Sequence, residues 1–273
     1  MMTASSKSLE GKIAVVTGSS RGIGRGTAIA LGEQGATVYV TGRTTSGELS
    51  VGRTVELLEA AGGKGIAVEV DHADDAQIAS FFEQVGREQD HIDILVNNVY
   101  KVPNPPAWGG GFWDHPIQVW DDQVGIGLRA HYVASWHAAP LLFARGPGGF
   151  ICNVSSPGGQ SYHFSSSYGA GKAGLDRLTA DMAIELKPKG VAAIVLYPGS
   201  VATEFIQEWS TKRGTDLSQS QTTLGVGRTV AALATVHDLM ERSGTIQWCE
   251  DLSRELNVRD ENGNLLATYP RRL

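Results

Sequence analysis

Tyr168 and Lys172 stand four positions apart in the segment Tyr-Gly-Ala-Gly-Lys, a spacing that on a helix places both side chains on one face, so that the ammonium can approach the phenol. A phenol ordinarily titrates near 10, and a cation beside it favours the phenolate, which fits it to exchange a proton with a carbonyl or alcohol oxygen near neutral pH. Taken alone, the pair is better read as a core tyrosine beside a surface lysine. Two hydroxyls precede it: Ser155 and Ser156 close the run Ile151-Cys-Asn-Val-Ser-Ser and could hold the oxygen that exchanges the proton. Side chains alternate along a strand, so only one of the two can face a substrate from its end.

A second constellation lies near the start. Thr17 to Gly24 reads TGSSRGIG, directly after the apolar run Ile13-Ala-Val-Val and directly before an amphipathic stretch. Gly18, Gly22 and Gly24 suit a sharp strand-to-helix turn that lets a pyrophosphate approach bare backbone, while the following helix N-terminus offers free amides and partial positive charge. Ser20, Arg21 and Ile23 fill the remaining places of that cradle. The next run, Thr37 to Thr41, ends in Gly42-Arg43, where an acidic residue would accept the ribose hydroxyls of NAD and repel a 2′-phosphate. With Arg21 and Arg43 in reach and no carboxylate at that place, the phosphorylated cofactor NADP(H) is favoured over NAD(H), because a guanidinium grips phosphate oxygens through paired hydrogen bonds.

The elements that must position these groups follow from periodicity. Ile23, Thr27, Ala30, Leu31 and Gln34 recur at helical spacing, with Gly35 as a left-handed stop. Strand-like segments at Gly65 to Val70, Ile92 to Val96, Phe150 to Val154, Val191 to Leu196 and Thr245 to Trp248 alternate with helical ones, which predicts an α/β, doubly wound, mainly parallel sheet with helices on both faces. Leu175, Leu178, Met182 and Leu186 form a core stripe on the helix carrying Tyr168, which ends before Pro188. Tyr100 to Pro116 and Glu204 to Thr223 read as irregular and as candidate pocket walls, and the DENGN turn between Val258 and Leu265 as a small hairpin or lid.

Glycines spaced as TGxxxGxG, followed by Tyr-x-x-x-Lys, resemble the short-chain dehydrogenase/reductase family, and the likeness runs from Leu9 to about Leu266. It implies a Rossmann-like fold, hydride transfer between a nicotinamide cofactor and a carbonyl or secondary alcohol, Tyr168 as proton donor and acceptor, and Lys172 tuning it while holding the ribose. It also implies that Asp71 and Asn97, at strand ends, bracket the adenine and adenosine. Pro198, Gly199, Val201 and Thr203, in Tyr197-Pro-Gly-Ser-Val-Ala-Thr, would hold the nicotinamide carboxamide. Counting thirteen residues back from Tyr168 selects Ser155, the preferred choice, whereas counting from Gly149 selects Ser156. Gly127 falls where the family carries an asparagine of its proton relay, and Asn97-Asn98-Val99-Tyr100 keeps only the first half of another family motif. These departures, with SSPG and GLRAHY, resemble the branch named for dehydrogenase/reductase member 1, associated with NADPH-linked carbonyl reduction. The alternative is an NADP-binding regulatory or scaffold protein whose catalysis has decayed. The resemblance further implies a homodimer or homotetramer.

Composition narrows the partners. The 273 residues carry a net charge of −6, which leaves no global basic field for nucleic acid or an anionic membrane. Two cysteines give no disulfide framework, no run is long enough for a membrane span, and the first residues lack a secretory core, so a cytoplasmic protein is expected, with residues 1–8 loose and 9–273 one domain. His131 and His137 lie six apart and make no metal pair, so no metal is expected; both read as packing or surface residues. His163 lies between the serines and Tyr168, where it could meet substrate, and Trp108, Phe112 and Trp113 could line an apolar entrance or pack a long loop.

Overall fold

Seven short runs, the five central ones buried almost throughout and the two at the edges partly exposed, pair as one parallel sheet in a computed structural model that describes residues 7–104 and 106–271. They are β1 (Ile13–Val16), β2 (Thr37–Gly42), β3 (Lys64–Glu69), β4 (Ile94–Asn97), β5 (Gly149–Val154), β6 (Val191–Tyr197) and β7 (Ile246–Trp248), in the order β3-β2-β1-β4-β5-β6-β7. Each lies within two residues of its sequence-predicted bounds. Alternation along the strands splits the core in two. Ala14, Val16, Val38, Val40 and Cys152 face one layer with Leu31, Leu58, Val226 and Leu252, and Ile13, Val15, Tyr39, Leu95 and Ile151 face the other with Ile78, Phe81, Leu142 and Met182.

The first layer comprises α1 (Gly22–Glu33), α2 (Val51–Ala60), α8 (Thr223–Leu233) and α9 (Cys249–Glu255); the second comprises α3 (Asp75–Glu88), α5 (Ala130–Ala144) and α6 (Ser166–Leu186). Helices α1 and α8 cross at backbone contact: a Cβ on Gly26 would stand 2.1 Å from Thr223 O, and one on Gly227 2.3 Å from Gly26 O. Gly35 ends α1 with φ 93°, as the sequence predicts. The strand order reverses between β1 and β4, so their carboxyl ends open a crevice at the switch point, the usual ligand position in such sheets.

Three details depart from the sequence expectation. Part of the stretch read as irregular is α7 (Glu204–Arg213): the Thr203 hydroxyl accepts from Ile206 N at 3.4 Å, and Gly214 closes the helix at φ 68°. Its periodicity is weak because it buries little more than Ser210. The DENGN segment is a turn closed by Asp260 N donating to Asn264 O at 2.9 Å, with no strand on either side among the described residues. Order begins earlier than Leu9: Lys7 Nζ donates to Gly62 O at 2.6 Å and Ser8 Oγ to Gln34 Oε1 at 3.0 Å, while the rest of the expected loose start, residues 1–6, lies outside the described residues. Between α4 (Gln118–Trp120) and α5, Asp121–Arg129 is wound as a π-helix, and a Cβ on Gly127 would meet only Tyr100 Cδ2, at 3.9 Å.

Candidate active site

Ser165 starts α6 by accepting from Tyr168 N at 3.3 Å, which sets the first turn of the helix against the end of β5. From there the Tyr168 hydroxyl donates to Ser156 Oγ at 2.8 Å. Ser156 Oγ also accepts from Gly158 N at 3.0 Å, so its own hydrogen remains free for a third partner. Ser155 points the other way: its side chain is buried against α6, and its hydroxyl lies 3.4 Å from Lys172 O. The preference for Ser155 by counting is therefore reversed by geometry, because strand alternation turns Ser155 into the interior and Ser156 toward the phenol.

Lys172 is 7% exposed, donates from Nζ to Val154 O at 3.1 Å, and holds Nζ 5.4 Å from the Tyr100 ring centroid and 5.9 Å from that of Tyr168. Burial lowers its pKa to about 8, opposed by the Asp176 carboxylate one turn along the same helix face. Tyr168 is pushed up to about 12 by burial, opposed by the Ser156 hydrogen bond. Desolvation thus sets the direction, and the phenol keeps its proton at neutral pH. Asp176, which sequence reasoning missed, is itself raised by burial and accepts the Tyr197 hydroxyl. Its spacing from Lys172, again four, was the available signal.

The glycine loop closes on the switch point. A Cβ on Gly18 would stand 2.7 Å from Val99 Cα and one on Gly24 2.4 Å from Gly18 O, so a side chain at either would fill the turn. Gly22, at φ 60°, donates its N–H to Glu204 Oε2 at 2.8 Å. A carboxylate thus sits at the α1 N-terminus, so the loop fits an anion such as a dinucleotide pyrophosphate. Thr203 Cγ2 lies 3.5 Å from where a Gly22 Cβ would be, placing the Pro198 to Thr203 segment across the loop. At the end of β2, the Cβ position of Gly42 lies 3.2 Å from Val51 Cγ1 and 3.5 Å from Ser20 Cβ, and Gly42 itself brings no carboxylate there. Arg21 is exposed at the start of α1, and Arg43, also exposed, has Nη1 3.8 Å from Asp71 Oδ2. Arg25, unremarked in the sequence, fastens the loop by donating from Nη2 to Ser20 O at 2.5 Å and Glu48 O at 2.6 Å.

Asn97 does not face the crevice. It is fully buried and donates to Ser135 Oγ and Asn153 Oδ1, both at 2.9 Å, tying β4 to α5 and β5. Its neighbour Asn98 takes the crevice side, donating to Thr17 O at 3.0 Å and Gly18 O at 2.9 Å. Beyond it lies a cavity of about 310 Å³ lined by Ile23, Asn98, Tyr100, both serines, Tyr168, Lys172 and the Pro198 to Val201 segment, and closed by His163, Phe164 and Tyr269. Trp108 packs behind Phe164 at 5.3 Å and against Trp209 at 4.8 Å, so it supports the wall, whereas Phe112 and Trp113 are exposed. His131 and His137 are packing residues: His131 is buried, and His137 stacks on Phe82 at 6.4 Å. Among the described residues no group of three or more His, Cys, Asp or Glu could hold a metal ion, and no helix is long and apolar enough to cross a membrane.

The family model for short chain dehydrogenases matches residues 12–214. The chain belongs to the short-chain dehydrogenase/reductase family, oxidoreductases that use a nicotinamide cofactor on small-molecule substrates. Within it, the chain is 38% identical over 275 aligned positions to the mouse and human proteins called dehydrogenase/reductase SDR family member 1, an alignment covering 96% of this chain and 87% of each relative. A short chain dehydrogenase from Burkholderia cenocepacia, solved in complex with NADP, superposes with TM-score 0.75 at 30% identity over 88% of this chain and 96% of that one. A putative dehydrogenase from Xanthomonas campestris shares the fold at TM-score 0.82 and 24% identity, over 96% of this chain and 97% of that one.

Proposed function

We propose that the protein is an NADPH-linked carbonyl reductase acting on ketones or aldehydes, with Tyr168 as the proton donor. The observation that carries this reading is the Tyr168 to Ser156 hydrogen bond of 2.8 Å at the wall of the cavity, within reach of a buried Lys172. With its pyrophosphate held at the glycine loop, the cofactor would supply hydride from the reduced nicotinamide to the carbonyl carbon. Ser156, whose oxygen already accepts twice, donates its free hydrogen to the carbonyl oxygen and orients it. Tyr168 then gives up its proton to that oxygen, and the Lys172 ammonium stabilises the tyrosinate left behind. Above pH 8 the lysine loses its charge, and this support weakens. Val201, Pro198 and Gly199 border the same cavity, beside Thr203, and fit the nicotinamide end; Gly18 to Gly24 fit the pyrophosphate.

NADP preference is supported by the missing carboxylate at Gly42, by exposed Arg21 and Arg43, and by the NADP-bound Burkholderia relative. Asp71 beside Arg43 works against it, which makes the comparison with NADH informative. The test is NADPH oxidation, followed by absorbance, across ketones, aldehydes and quinones, with NADH and Tyr168→Phe alongside. Turnover with NADPH that falls at least about a hundredfold in Tyr168→Phe is expected for loss of a general acid. Tight cofactor binding with no reduction of any compound would instead support a regulatory NADP-binding protein. Undiminished turnover in Tyr168→Phe would remove Tyr168 from the role.

A further inference from the structure

One wall of the substrate cavity is supplied by Tyr269, among the last described residues of the chain. After the Asp260 turn the backbone runs back across the sheet's carboxyl edge, and Gln221 is the hub that holds it. Its Oε1 accepts from Gly199 N at 3.1 Å, and its Nε2 donates to Ala267 O at 2.9 Å and to Glu250 Oε2 at 3.2 Å. Glu250, a fully buried carboxylate at the start of α9, also accepts from Tyr269 N at 3.3 Å. Beyond it the Arg271 guanidinium lies 4.4 Å from the Trp248 ring centroid, and Trp248 stacks on Tyr269 at 6.3 Å. Gly199 leaves room for the crossing, since a Cβ there would stand 3.0 Å from Tyr269 Cβ. The same segment that borders the nicotinamide end of the site therefore carries the C-terminal strap.

The strap delivers one polar atom to the cavity. Tyr269 Oη lies 2.8 Å from His163 Nε2, and His163 Nδ1 lies 3.1 Å from Ser161 O. Of the two Ser161 oxygens at Nδ1 the carbonyl, at 3.1 Å, is nearer than the hydroxyl, at 3.4 Å, and a carbonyl only accepts, so Nδ1 carries the hydrogen, Nε2 offers its lone pair, and Tyr269 donates. The Tyr269 oxygen is then left with lone pairs and no hydrogen for a ligand. Next to His163, Phe164 sits in the left-handed region at φ 58°, unusual for a side chain of that size; it is pinned between Trp108 at 5.3 Å and Tyr168 at 5.1 Å. The loop between the serines and Tyr168 is thus held in a costly conformation, and the His163 to Tyr269 hydrogen bond clasps it to the strap.

We propose that Tyr269 determines specificity: it borders the cavity beside His163 and Phe164 and selects carbonyl compounds that carry a hydrogen-bond donor, such as a hydroxyl, in addition to the carbonyl. Rings of Tyr100, Phe164 and Tyr168 along the walls suit a flat or aromatic body. The inference rests on the carbonyl-reductase reading of the same cavity, and binding separates the two.

Protein saturated with NADP⁺ is titrated with para-hydroxyacetophenone and its longer para-hydroxyphenyl ketone homologues, each against its para-methoxy counterpart, followed by tryptophan fluorescence. The same compounds are assayed as substrates by NADPH oxidation. At least one hydroxyl member is expected to bind about tenfold tighter than its methoxy partner, the worth of one hydrogen bond. Tyr269→Phe, which keeps the ring against Trp248, removes that ratio by raising KM for the hydroxyl member with kcat held. His163→Ala frees the Tyr269 hydrogen and shifts the preference toward the methoxy member, a reversal that general loosening of the strap does not produce. Equal binding of both series by the wild type, or an unchanged ratio in Tyr269→Phe, overturns the assignment while leaving ketone reduction intact. A ratio that Tyr269→Phe abolishes, in a protein that oxidises no NADPH, upholds Tyr269 and sinks the reductase reading.

Discussion

Ser155 and Ser156 differ by one position and by the whole direction of their hydroxyls. Ser156 Oγ accepts a hydrogen bond from the Tyr168 hydroxyl at 2.8 Å, whereas Ser155 lies buried beside Lys172 O and Asp176. Ser156→Ala is therefore expected to lower kcat about a hundredfold, the scale of losing one oxygen-holding donor, with little change in melting temperature. Ser155→Ala should instead lower stability by about 1 kcal/mol through a lost buried hydrogen bond and change kcat far less. Steady-state kinetics beside thermal unfolding separate the two, and a larger kcat loss in Ser155→Ala would reverse the assignment. The residue types were legible in the sequence, but the choice between neighbours was not. Counting positions fails when a loop changes length by one, and strand parity identifies a side chain only once it is known which face meets which helix. Asn97 and Asn98 show the same thing: the first was expected at the cofactor, and the second is the one that pins the glycine loop.

At the scale of elements, the strands and the helices with a buried stripe were read correctly because two-sided burial leaves an uninterrupted apolar run and one-sided burial a helical period. Helix α7 escaped because it buries so little, yet it brings Glu204 to the N-terminus of α1. There the carboxylate accepts from Gly22 N at 2.8 Å and lies 3.8 Å from Arg25. An incoming pyrophosphate needs those amides, so Glu204 competes with it through both occupancy and charge. Glu204→Gln is expected to tighten NADPH binding about two- to tenfold, since it removes a like charge from an anion site while keeping the size of the side chain. Fluorescence titration with NADPH at low and high salt measures this. The gain should shrink as salt rises, and weaker binding in Glu204→Gln would show that the carboxylate supports the cofactor instead of opposing it.

For the molecule as a whole, the doubly wound layout was legible because strand and helix blocks alternate along the chain, and the strap was not, because its partners Gln221, Glu250 and His163 are brought together only by the fold. The same holds for two histidines that no spacing marks as interior. His72, with Nε2 2.8 Å from Thr41 Oγ1, is lowered to about 4 by burial, and His131, with Nε2 2.9 Å from Val99 O, to about 3. In both, Nδ1 is buried and meets no protein partner, so a proton added there would leave an N–H without an acceptor. The folded values lie below the unfolded value near 6.5, so between them the unfolded chain binds more protons than the native one, and stability increases with pH. Full stability is present above about pH 6.5 and is lost as pH falls toward 4, at a limiting slope of about 1.4 kcal/mol per pH unit for each imidazole. Urea unfolding at pH 7.5, 6.5, 5.5 and 4.5 should show this decline beginning above the range where carboxylates titrate. In His131→Gln, which retains an N–H for Val99 O but does not titrate, the slope between pH 6.5 and 5 should fall by about half. An undiminished slope would mean that His131 is not kept neutral by the fold and that the acid sensitivity arises elsewhere.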